Sequence, residues 1–162
     1  MIQRRWLLTC IASACLAASL ALPGLADEPP AIERLPAEPL VIETGSGKSI
    51  TFNTEIADTD AERARGMMFR QDMAENEAML FIWPAPHEAA MWMRNTYIAL
   101  DMLFIATDGE VVHIHRNAVP HSLDVISANR DVLAVLEIKG GAAARLGLSA
   151  GDRVKHRFFG QP

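Results

Sequence analysis

Leu100-Asp101-Met102-Leu103-Phe104-Ile105-Ala106, followed by Thr107-Asp108-Gly109-Glu110 and then Val111-Val112-His113-Ile114-His115-Arg116, is the stretch that decides the fold. Apart from Asp101, the first seven residues are apolar at both alternating positions, as a strand inside a sheet requires. Asp108-Gly109 is a strong hairpin signal, because both residue types tolerate the positive φ that a tight strand connection needs. A second strand is therefore expected to fold back over Val111 to Arg116.

The pattern extends in both directions. Upstream, Leu40-Val41-Ile42 and Ser49 to Ile56 read as strands joined across Gly45-Ser46-Gly47. In the second of these, Ile50, Phe52 and Ile56 share one face while Thr51, Asn53 and Glu55 share the other, the period of a half-buried strand. Asp58 or Thr59 is placed to cap a short helix from Asp60 to Arg65, with Asp60 and Glu62 in its first turn and Gly66 at its end. Ala78 to Trp83 reads as a strand stopped by Pro84 and Pro86, and Ala89 to Asn95 alternates. Downstream, Val132 to Ile138 is a strand, Gly140 to Leu146 gives one or two helical turns closed by Gly147, and Gly151-Asp152 leads into a last strand, Val154 to Phe159. Many short strands with two small helices predict a mainly β (α+β), compact, barrel-like domain.

The first 26 residues are of another kind. Arg4 and Arg5 precede an apolar run of about 16 residues, which Pro23-Gly24-Leu25-Ala26 ends. That run is short of the ~20 residues needed to span a bilayer. Gly24 and Ala26 are small residues suited to cleavage before Asp27, so residues 1–26 read as a secretory signal peptide and the protein as periplasmic or secreted. Gln3-Arg4-Arg5-Trp6-Leu7-Leu8 leaves the twin-arginine route open beside the general secretory one, and Cys15 after Ala12-Ser13-Ala14 is a weaker lipidation signal without its usual Leu. Residues 27–39, with four Pro and four acids, read as a disordered linker, and residues 40–162 as one domain.

Composition limits function. The 162 residues carry 15 Lys+Arg and 20 Asp+Glu, a net charge of −5, and are 50% hydrophobic, which excludes a disordered chain. Cleavage after Ala26 would remove Arg4, Arg5 and both cysteines, Cys10 and Cys15, leaving a cysteine-free chain of net charge −7. Such a balance opposes nucleic acid and anionic lipid as partners, and no stable membrane association is expected once the signal is gone.

Four stretches resemble the uncharacterised prokaryotic family called domain of unknown function 192. They are Arg65-Gly66-Met67-Met68-Phe69-Arg70, Ala78-Met79-Leu80-Phe81, Met91-Trp92-Met93-Arg94-Asn95-Thr96 with Leu100-Asp101 after it, and Leu136-Glu137 ahead of Gly147 and Gly151-Asp152. The third is the most specific. Met67, Ala78, Met91 and Ala99 depart from residues usual in the family, and a Pro missing at Ala99 frees the backbone before Leu100-Asp101. The resemblance implies a mostly β, barrel-like domain, often exported, and implies no activity.

Trp92, Arg94, Asn95, Thr96, Asp101 and Glu137 form the candidate ligand-binding cluster. Asp101 and Glu137 each sit among apolar neighbours, and buried carboxylates need partners. Arg94 is the expected partner, since its planar fork can hold a carboxylate with two hydrogen bonds. Two accounts fit these residue types: a polar cleft with a Trp wall that grips a small molecule, and an ion-pair brace that fixes strand register. A hydrolase using Asp101 and Glu137 is the enzymatic alternative, but an arginine nearby would depress both carboxyls, and no catalytic motif is present. His113, His115 and His121 with the Met residues raise copper as a further alternative; alternate Met on a strand is commonly core, no zinc spacing occurs, and no metal or cofactor is expected. The sequence thus points to a binding module for a small molecule or a protein, of unidentified ligand.

Overall fold

The structure, a computed structural model, describes residues 34–160, so the signal peptide and residues 27–33 of the linker lie outside the described residues. Seven strands form one sheet: β1 (Ala37–Glu43), β2 (Ser49–Ala57), β3 (Glu77–His87), β4 (Leu100–Ile105), β5 (Val111–Ala118), β6 (Val132–Lys139) and β7 (Arg153–Lys155). Their order is β5-β4-β6-β3-β2-β1-β7, antiparallel throughout except for β2 beside β3. Two short helices, α1 (Asp60–Arg65) and α2 (Ala142–Leu146), and a 3-10 turn at Arg157–Phe159 complete the described chain. β4 lies inside the sheet between β5 and β6, as its two-sided apolar sequence requires, and all six of its residues are buried.

The sheet curls until its edges touch. Glu110 and Arg153 form a bridge, and Val111 N donates to Asp152 O at 2.8 Å while Gly151 N donates to Val111 O at 2.8 Å. The result is a half-barrel, mostly β with two short helices. Gly109 is required at this seam: its φ is +86°, and a Cβ there would stand 2.5 Å from the Val154 carbonyl oxygen.

Two apolar clusters occupy the two faces. One contains Leu40, Phe52, Leu80, Leu103 and Leu136 with Ala142 and Ala143 of α2. The other contains Met79, Phe81, Met102, Phe104 and Val135 with residues of the connecting loops, and it buries Met67, Met73, Met91 and Met93 as well. Flexible thioethers suit a face covered by irregular chain, because they fill gaps that rigid branched side chains leave.

Four readings of the sequence change. β1 begins at Ala37, taking in three residues assigned to the linker. β3 continues through Pro84 and Pro86 to His87; both prolines are exposed, and the register with β6 shifts between Ile82 and His87, so no ladder bond is demanded of them. Ala89 to Asn95 is not a strand: it makes one bridge, Met91 with Ile126, and ends where Asn95 takes a φ of 56°. The final strand stops at Lys155, and residues 157–159 turn as 3-10 helix.

Candidate functional site

Asp101 is wholly buried and fully engaged by backbone. Its Oδ1 accepts from Asn117 N at 2.7 Å and Gly141 N at 3.0 Å, and its Oδ2 accepts from Ala143 N at 2.8 Å. It ties the end of β5 to the entrance of α2, so the buried carboxylate finds its partners in peptide N–H groups rather than in a guanidinium.

Glu137 belongs to the other face. Register sets it opposite Met79 of β3 and Met102 of β4, and Met79 opposite Glu55 of β2, so Glu55, Met79, Glu137 and Met102 form one row across four strands. Glu55 and Glu137 are two strand spacings apart, ~10 Å. Glu55 is held by Arg70, whose Nη1 and Nη2 each donate to a carboxylate oxygen at 2.6 Å, and both side chains are buried. Leu35 N donates to the same carboxylate at 2.6 Å. Glu137 has no such support: its Oε2 is buried and without a hydrogen-bond partner among the described residues. Burial pushes the Glu137 carboxyl up to about 8, against the opposing charge of Arg70, so at neutral pH it is mostly the uncharged acid.

Above this row lies a pocket of about 290 Å³. Glu137, Phe81 and Met67 belong to its buried part, and Met91, Trp83 and Trp92 add apolar wall. α1 closes one side through Arg63 and Gly66. The helix forms there because Thr59 and Glu62 make a capping box, Thr59 Oγ1 accepting from Glu62 N and Glu62 accepting from Thr59 N. It ends at Gly66, which has a φ of +47° and lies so near Phe81 that a Cβ would come within 2.8 Å of the ring. Arg63 is fixed: it donates to the carbonyls of Asp58 and Ile82 and to Asp60, with its guanidinium 5.9 Å from the Trp83 ring centre. Arg94 is exposed at the rim, 5.5 Å over the Trp92 ring, and pairs with no carboxylate among the described residues.

Of the six sequence candidates, the pocket brings together Trp92, Arg94, Thr96 and Glu137. Asp101 leaves the opposite face of the sheet, and Asn95 lies outside the pocket lining, its carbonyl accepting from Phe69 N at 2.8 Å. Arg94 braces neither Asp101 nor Glu137; the buried guanidinium is Arg70. The sequence reading also passed over Arg63, Phe81 and Trp83, although Arg70 and Phe81 stand in two of the quoted stretches. His113 and His115 lie on β5, His113 with its ring 5.6 Å from Phe104, and His121 packs at 4.9 Å against Tyr97 in a loop. No group of three His, Cys, Asp or Glu among the described residues could hold a metal ion. No described helix is long and apolar enough to cross a membrane.

Residues 41–156 match the family model DUF192, described as an uncharacterised ACR. A solved protein of Sinorhizobium meliloti 1021, provisionally described as a transcription regulator, is 41% identical, with a TM-score of 0.74 over 76% of this chain and 96% of that one. A protein of unknown function from Novosphingobium aromaticivorans DSM 12444 is 40% identical, with a TM-score of 0.73 over 86% of this chain and 94% of its own. No curated protein matches the chain.

Proposed function

The chain belongs to the DUF192 family of uncharacterised function, and within it we propose that this protein is an exported module that binds a small molecule in the pocket formed by Trp92, Arg94, Thr96 and Glu137. The observation that carries the reading is the buried Oε2 of Glu137, without a hydrogen-bond partner among the described residues and beside a mostly apolar pocket. A buried polar atom without a partner costs about 1–3 kcal/mol, and a ligand that supplies the missing hydrogen bond recovers it. Pockets that bind small molecules combine mostly apolar walls with a few placed polar groups, which is the composition here. Export rests on the basic start, the short apolar run and Gly24-Leu25-Ala26. The relative's description as a transcription regulator is not carried over, because a net charge of −5 disfavours DNA.

A thermal-shift screen of the mature protein against a panel of small metabolites tests the binding role. Hits are expected whose stabilisation disappears in Trp92→Ala. If no compound stabilises the protein, or if every hit is indifferent to that change, the pocket is architectural and the module reading fails.

A second reading gives Glu137 a chemical role. A carboxyl raised to about 8 has the proton affinity a general acid needs near neutrality. A two-carboxylate hydrolase with Asp101 is disfavoured, since Asp101 faces away and is consumed by three backbone N–H groups. Glu137 would act alone, and incubation of any hit with the protein should then yield a product detectable by mass spectrometry.

A further inference from the structure

Resting on the pocket reading above, we infer that the bound molecule is a small amphipathic monoanion: an apolar body seated against Met67, Phe81 and Met91, with a carboxylate held at the rim by Arg94.

Three observations select this class. The pocket is small, about 290 Å³, and the buried side chains of its lining are Met67, Phe81 and Met91 with Thr96 and Glu137 as the polar ones, which suits a short hydrocarbon or a single ring better than a sugar or a nucleotide. The charges at its mouth are unequal. Asp60 is already taken by Arg63, and Arg63 is further committed to two carbonyls, while Arg94 reaches no carboxylate among the described residues. Arg94 is also placed for it: its guanidinium lies over Trp92, 5.5 Å from the ring centre, and a guanidinium there can meet a planar carboxylate with two hydrogen bonds. The same arrangement disfavours a cation, because the Trp83 and Trp92 rings that could receive one already face Arg63 and Arg94. Glu137 adds no opposing charge while it holds its proton, and its Oε2 offers a hydrogen bond to a hydroxyl or carbonyl on the ligand body.

Three probes of one skeleton separate charge from shape: 3-phenylpropanoate, 3-phenylpropanamide and 3-phenylpropylammonium. Binding is read by calorimetry and by the fluorescence of Trp83 and Trp92. The carboxylate is expected to bind, the amide about tenfold more weakly, and the ammonium not at all. Arg94→Gln should weaken the carboxylate about tenfold and leave the amide unchanged, and Arg94→Lys, which keeps the charge but loses the fork, should fall between. Melting curves of both variants verify that they fold. Equal binding of amide and carboxylate, or binding of the ammonium, overturns the anion assignment while leaving the pocket a binding site. If none of the three binds, the anion assignment fails; if the metabolite screen also finds no ligand, the pocket reading falls with it.

Discussion

Asp101 stands one residue out of step with Glu137 across the β4–β6 ladder, which pairs Met102 with Glu137 and Asp101 with Ile138. Because side chains alternate along a strand, the two carboxyls leave the sheet on opposite faces. One is an anchor saturated with backbone donors; the other is a buried acid with an oxygen that nothing among the described residues satisfies.

Asp101→Ala should be among the most damaging substitutions in the domain. It strips three backbone N–H groups of their acceptor beneath α2, and hydrogen bonds to a charged group contribute about 1.5–3 kcal/mol each. A loss of at least ~3 kcal/mol is expected in urea melts. Asp101→Asn, which keeps one acceptor oxygen, should lose less. Equal melting of Asp101→Ala and wild type would remove the anchor role.

Glu137 should make the protein less stable as pH rises. Its folded-state value is about 8 against an ordinary 4.5, so between those values the folded chain keeps a proton that the unfolded chain releases. Its stabilising contribution is therefore fully present below about 4.5 and is lost as pH climbs through 8. Melts from pH 5 to about 9 should show this slope in wild type and a flatter profile in Glu137→Gln. A slope unchanged by that substitution would place the titrating group elsewhere.

The two arginines should behave oppositely. Arg70→Ala leaves the buried Glu55 carboxylate with only Leu35 N and the exposed Arg34 for partners and should cost about 3–5 kcal/mol, most of it recovered by Arg70→Met combined with Glu55→Leu. Arg94→Ala removes an exposed group and should cost less than about 1 kcal/mol. Guanidinium melts of the four proteins decide this; a severe loss from Arg94→Ala would mean that it is a brace after all.

Export should yield a chain that starts at Asp27. Mass spectrometry of protein from the native cell tests it, and a periplasmic product retaining residues 1–26 would contradict it. Replacing Arg4 and Arg5 together by Lys should leave secretion intact on the general route and block it on the twin-arginine route.

Local signals carried most of the fold into the sequence. Thr59 and Glu62 mark the start of α1 because a capping box is complete within four residues, and Asp108-Gly109 marks the β4–β5 connection for the same reason of short range. The site was half legible. Trp92, Arg94, Thr96 and Glu137 meet in one pocket, but the arginine that turns inward could not be read, since Arg70, which pairs with Glu55, and Arg94 both stand in polar-apolar motifs and only long-range packing decides between them. The alternation of Ala89, Met91 and Met93 misled for a related reason. Those residues are buried alternately because an extended loop lies on the sheet, and a period of two reports burial rather than hydrogen bonding.

The pairing of β1 with β7 has a consequence for how the molecule is made. The first and last strands of the sheet are neighbours, joined through Val41–Lys155, Ile42–Val154 and Glu43–Arg153. No part of that ladder exists until synthesis has reached Lys155, and contacts of such sequence separation form late and slowly. A chain in which β7 has not yet docked therefore carries β1 as a bare, adhesive border, and the sheet acquires its protected outline only once Arg153–Lys155 have paired with it.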